Sequence, residues 1–181
     1  MLTALKAFKV SNAFVPGYLR ALYGDGWKDP DRNGCDARND ILARDLQNPT
    51  FRSGTNNCVV IAGTLLDPYT GTNINFVKGN TTSTLVQIDH IVPLGWAWQH
   101  GAATWTADQR LQFANDPNEL LAVDGSANEA KSDYGPAGWM PPNDSFRCTY
   151  VEKFVAVLGR YSLSVDAPDK AVIDAELRHC G

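Results

Sequence analysis

The stretch QIDHIVPLGWAW, residues 87–98, constrains the fold more than any other part of the chain. Asp89 and His90 stand just after an apolar run and just before Ile91-Val92-Pro93-Leu94. A buried aspartate is costly unless it has a hydrogen-bond or metal partner. Consecutive residues of a regular strand point to opposite faces. For the two side chains to act together the strand must end beside them, and Pro93, three residues on, says that it does. The pair is therefore expected where a strand breaks into a loop, a good place to present two polar side chains to a cleft.

Partners for that pair are found about thirty residues later, in NELLAVDGSANEAKSD. Ser126-Ala-Asn-Glu129 reads as a capping box with Ser126 as N-cap, which places Asn128 in the first turn of a helix and Lys131 on the same face. A strand ending in Asp-His, a connection, a second strand and a helix presenting Asn can grip one divalent ion. Asp89 and the amide oxygen of Asn128 are hard oxygen ligands, suited to Mg2+ or Mn2+ and poor for zinc. His90 is then free to act as a base, since its side chain titrates nearest neutrality.

Around this core the chain reads as α+β, one domain over residues 1–181. Short helical runs, LTALKAFKV and GYLRALY, open it. ARNDILARDL suggests an amphipathic helix, CVVIAGTLL a strand, DPYTGTN a turn, and INFVK and STLVQID two further strands. Thr106-Ala-Asp-Gln109 is a second capping-box signature, opening a helix to about Asn115, and ELLAV at 119–123 is a short strand. FRCTYVEKFVAVLGRY and PDKAVIDAELRHC are expected to be closing helices.

IDHIVPL followed by N-x-L-x(7)-N-x-x-K resembles the HNH, or ββα-metal, endonuclease superfamily, with the core at about 84–133. NGCDARNDIL, the DPYTG turn, NDPNELLAVDGSANEAKSD and the WMPP stretch extend the likeness. Together they resemble a compact, usually exported HNH nuclease family related to the nuclease half of GmrSD-type restriction enzymes. The resemblance implies that Asp89 and Asn128 hold the metal and that His90 is the general base. It also implies that Asn118 fixes the loop carrying the histidine and that Lys131 contacts phosphate. The implied activity is metal-dependent hydrolysis of phosphodiester bonds in DNA, leaving 5′-phosphate and 3′-hydroxyl ends, with RNA as the other possible substrate. Arg38, in the family's Cys-Asp-x-Arg stretch, either reaches a phosphate across the cleft or forms a salt bridge on its own helix.

Cysteines 35, 58, 148 and 180 form no CxxC pair, which argues against a zinc knuckle. The expected disulfides are Cys35–Cys58 and Cys148–Cys180, each within one half of the chain. They imply a secreted or cell-surface protein; four buried free thiols in the cytosol are the alternative. MLTALKAFKV is too short and polar for a complete secretory signal, so any signal has been removed or never existed. Asp29, Asp31, Asn33 and Asp40 follow an EF-hand-like spacing that suggests a structural Ca2+, against an Asp/Asn/Gly turn held by side-chain-to-backbone bonds. Trp96, Trp98, Trp105 and Trp139 read as core rather than as platforms for bases, and His100 and His179 as surface or helix-end residues.

A net charge of −4 argues against a broadly basic nucleic-acid coat and for little sequence reading. No apolar run approaches a membrane span, so no membrane partner is expected, and the chain is expected to be a monomer. Two other functions fit the same residues: a catalytically inactive, calcium-stabilised extracellular binding module, and the effector domain of an antibacterial toxin.

Overall fold

A computed structural model describes residues 7–80 and 82–180. Most of the helix expected over residues 2–10 falls on residues 1–6, outside the described residues. GYLRALY forms one 3₁₀ turn, Arg20–Tyr23, rather than a full helix. Helix α1, Ala37–Asp45, is capped by Asp36, whose side chain accepts from Asn39 N. It packs on a three-stranded antiparallel sheet of β1 (Gln47–Phe51), β2 (Val60–Leu66) and β3 (Asn73–Val77), in that order. β1 carries Pro49, which cannot donate to a ladder, and accordingly lies at an edge with an irregular register.

The second sheet is an antiparallel pair, β4 (Val86–His90) and β5 (Leu120–Asp124), with Asp89 opposite Leu121 and His90 opposite Leu120. Between these strands lie α2 (Leu94–Gln99) and α3 (Ala107–Ala114). α3 opens on the expected capping box, with Thr106 and Gln109 bonding reciprocally. The helix α2 was not anticipated: Leu94, Gly95, Trp96, Ala97 and Trp98 are all buried, so PLGWAW has no polar face to mark a helical period.

After β5 comes α4, Gly125–Lys131, completing a β–β–α unit. Its N-cap is Asp124, accepting from Ala127 N at 2.8 Å, so the helix begins earlier than a Ser126 cap would place it. Gly125 is required there, because a Cβ would stand 2.1 Å from the Thr84 carbonyl oxygen. Helices α5 (Asp144–Tyr161) and α6 (Ala167–His179) close the chain as expected. The two faces of the β4–β5 ribbon enter different apolar clusters: Val86, Ile88, Leu120 and Ala122 face α1, while Leu121 and Val123 face α5 and the tryptophans. Trp96, Trp98, Trp105 and Trp139 pack in or against that second cluster, as core. The disulfides are Cys35–Cys58 and Cys148–Cys180, the pairing expected from the sequence. No helix among the described residues is long and apolar enough to cross a membrane.

Candidate active site

The β–β–α unit brings Asp89, His90 and Asn128 to the wall of one cleft, of about 500 Å3. β4 runs through His90, so the pair keeps the strand's alternation and is reached from the strand's end. On one side, Asp89 meets Tyr69 and Lys131: the Tyr69 hydroxyl donates to Oδ2 at 2.5 Å and the Lys131 amine to Oδ1 at 2.9 Å. On the other side, His90 Nε2 lies 2.9 Å from the carbonyl oxygen of Ala114, and the ring stacks on Trp27, centroids 5.8 Å apart and 12° from parallel.

A carbonyl oxygen only accepts, so His90 carries its proton on Nε2 and leaves Nδ1 with a lone pair. Burial pushes its pKa down to about 3, with Arg20 and Lys131 adding to that and the Ala114 bond opposing it. Asp89 moves the other way: burial raises its carboxyl, and Lys131 and Tyr69 counter only part of that. Tyr69 is delivered by the DPYTG turn, in which the buried Asp67 takes the amide and hydroxyl of Thr70 and the amide of Asp124. That turn is visible in the sequence; its role in supplying a partner to Asp89 is not.

Lys131 is wholly buried, and its amine donates to Asp89 and, at 2.7 Å, to the His90 carbonyl. It joins the two strand-end residues, and the phosphate contact expected of it does not fit this enclosed position. Arg38 is also turned away from the cleft, donating to the carbonyl oxygens of Ser83 and Val86, and it forms no salt bridge among the described residues. The cation that lines the cleft is Arg20, which is exposed and forms no ion pair among the described residues.

Asn118 does not reach the His90 loop either; its amide and side chain donate to Asp116 Oδ1, both at 2.9 Å. Glu119 holds that loop instead, accepting Val92 N on its carboxylate at 3.0 Å and Ile91 N on its main-chain oxygen at 2.9 Å. Asn128 donates from Nδ2 to Gln87 Oε1 at 2.8 Å, and its Oδ1 takes no hydrogen bond among the described residues.

The loop at residues 29–40 is apart from the cleft. Asp29, Asp31 and Asp40 all accept from Asn33, at 3.1–3.3 Å, in an exposed Asp/Asn/Gly turn. His179 is exposed at the end of α6, and His100, the C-cap of α2, is also at a helix end, though buried.

Residues 36–173 match the family model described as GmrSD restriction endonucleases, C-terminal domain. An uncharacterized secreted protein of Arthroderma benhamiae is 38% identical over 148 residues, covering 81% of this chain and 68% of that protein.

Proposed function

Because the chain belongs to the family of GmrSD restriction endonuclease C-terminal domains, with the nuclease-like function that family suggests, we propose that it is a metal-dependent HNH endonuclease hydrolysing phosphodiester bonds in DNA. His90 is the general base, and Asp89 and Asn128 hold one Mg2+ or Mn2+. The observation that carries this reading is the pinning of His90: with Nε2 committed to Ala114, the lone pair sits on Nδ1 of a ring that lines the same cleft as both oxygen ligands.

The donor set fits a hard cation. Asn128 Oδ1 is unused, and each Asp89 oxygen keeps a lone pair beyond the one taken by Tyr69 or Lys131. Such an ion supplies positive charge against the phosphate and the leaving 3′-oxygen. His90 takes a proton from the attacking water. Burial keeps the imidazole neutral, so the Nδ1 lone pair is free to take that proton. Ala114 and Trp27 fix the plane of the ring, Lys131 and Glu119 hold the strand end and the loop beyond it, and Arg20 contacts phosphate at the mouth.

Two disulfides and the secreted relative support an extracellular setting for this chain. A structural Ca2+ at Asp29, Asp31, Asn33 and Asp40 is proposed with it, supported by three carboxylates gathered around Asn33, Asp29 on its main-chain N–H and Asp31 and Asp40 on its side-chain amide.

The test is plasmid cleavage with Mg2+, with EDTA, and by the His90→Ala variant. Nicking or linearisation should need the metal and fall by at least about 100-fold in the variant. Cleavage that survives EDTA, or a fully active variant, would remove His90 and the ion from the reaction.

A further inference from the structure

Outside the nuclease cleft, the end of α2 meets the start of α6. One ring nitrogen of His100 and one oxygen from each of Asp166 and Asp169 lie within 4.8 Å of one another, the group of metal-capable side chains found among the described residues. His100 and Asp166 stand 66 positions apart, so nothing in the sequence joins them. We propose that His100, Asp166 and Asp169 form a second cation site, which takes a borderline-soft divalent metal such as Zn2+.

Each side chain is held in place by something other than a metal. The His100 imidazole lies against Trp96, ring centroids 3.6 Å apart, and Trp96 Nε1 donates to Asp169 Oδ2 at 2.7 Å. Ala137 N donates to Asp169 Oδ1 at 2.7 Å. Asp166 caps α6 by accepting Asp169 N, also at 2.7 Å. Such supporting bonds orient ligands in metal sites. The chain also closes tightly over the cluster: a Cβ on Gly135 would stand 2.2 Å from Asp169 Oδ2.

What this cluster lacks is positive charge. Neither aspartate forms an ion pair with Lys, Arg or His among the described residues. His100 is only 6% exposed, yet among the described residues Nε2 makes no hydrogen bond and Nδ1 has just a long 3.4 Å contact with Ser164 Oγ. A buried imidazole with an unused lone pair beside two close carboxylates suits one nitrogen and two oxygens on zinc. A cavity of about 440 Å3, lined by His100 and Asp166, gives the ion a way in and leaves room for water.

Asp166→Asn is the informative variant, because asparagine caps a helix as well as aspartate does while the charge is lost. Chelator-stripped full-length protein, the Asp166→Asn variant and an Asn128→Ala variant of the other cleft are titrated with Zn2+ by calorimetry and melted with and without it. Wild type and Asn128→Ala should each retain this binding event, with Tm raised by roughly 5–10 °C at a hundredfold excess over Kd. Asp166→Asn should fold normally by circular dichroism and lose at least about tenfold in that affinity. His100→Gln, with the aspartates intact, should lose it as well. Absence of stoichiometric Zn2+ binding in wild type, or binding unchanged in both Asp166→Asn and His100→Gln, overturns the proposal.

Discussion

Two acidic clusters in this chain face opposite problems. Around Asp89, the partners come from Tyr69, 20 residues away, and Lys131, 42 residues away, and all three side chains are buried. Around Asn33, the partners lie two to seven residues away, with Asp29 and Asp31 exposed and Asp40 half-buried. In water, a carboxylate loses little when one neighbour is removed. In the interior, the same loss strands a charge, because desolvation grows faster than any single bond can offset. The difference teaches that the strand-end site is part of what holds the protein folded, whereas the loop is a local convenience.

The sharpest way to break that contrast is Lys131→Ala. Removing the amine leaves Asp89 buried without its counter-charge and should cost roughly 3–5 kcal/mol of unfolding free energy in urea. Asp89 has its pKa raised by burial, so the ionised form is the penalised one. The deficit of the variant should therefore grow as pH rises and shrink as acid neutralises Asp89. A loss under about 1 kcal/mol would place Asp89 in solvent-like surroundings.

Tyr69→Phe comes next, at about 1–3 kcal/mol, since it removes a donor from a buried acceptor and keeps the ring packing. Asp116 is an intermediate case, with one local partner, Asn118, and two distant ones, Tyr161 and Arg160. Burial pushes its carboxyl up, but those partners outweigh burial and hold it below the ordinary range. Its contribution is therefore present at neutral pH and lost as pH falls through the lowered value. Asp116→Asn should cost about 1–2 kcal/mol at pH 7 and converge on wild type in melts acid enough to protonate Asp116 in the folded state. A gap that does not close with acid would mean that shape, not charge, matters there. Smallest is Asn33→Ala, expected within about 0.5 kcal/mol when calcium is absent. With calcium present the wild-type Tm should rise and the variant's should rise less; a flat titration removes the ion from the loop.

The same contrast decides what could be read from the sequence. Four of the five strands, α1, the Thr106 capping box and both closing helices follow from patterns only a few residues wide. The strand β1 was hidden by Pro49, and α2 by being apolar on every side. Asp89, His90 and Asn128 were legible because their types and spacing carry chemistry, and the structure does bring them to one cleft. Their supports were not. The Ala114 contact is a main-chain carbonyl with no side-chain signature, and Trp27, on the His90 ring, and Arg20, in the cleft, come from a segment that shows little regular period. Lys131 was read as a phosphate contact from the family resemblance, and Arg38 as either a phosphate contact or a helix salt bridge; burial turned both toward backbone carbonyls, and Lys131 also toward Asp89. Position in sequence shows which charges exist, but only packing shows which ones remain available.

The Cys148–Cys180 bond joins the first half of α5 to the residue that follows α6, across the turn at residues 162–166. Every peptide bond between Cys148 and Cys180 lies inside the loop that this disulfide closes. A single cut there yields two peptides that remain covalently one object. The severed helix stays at high local concentration and can return to its seat. Cleavage would thus be visible on a reducing gel and silent on a non-reducing one, and a nicked molecule would remain a complete set of parts.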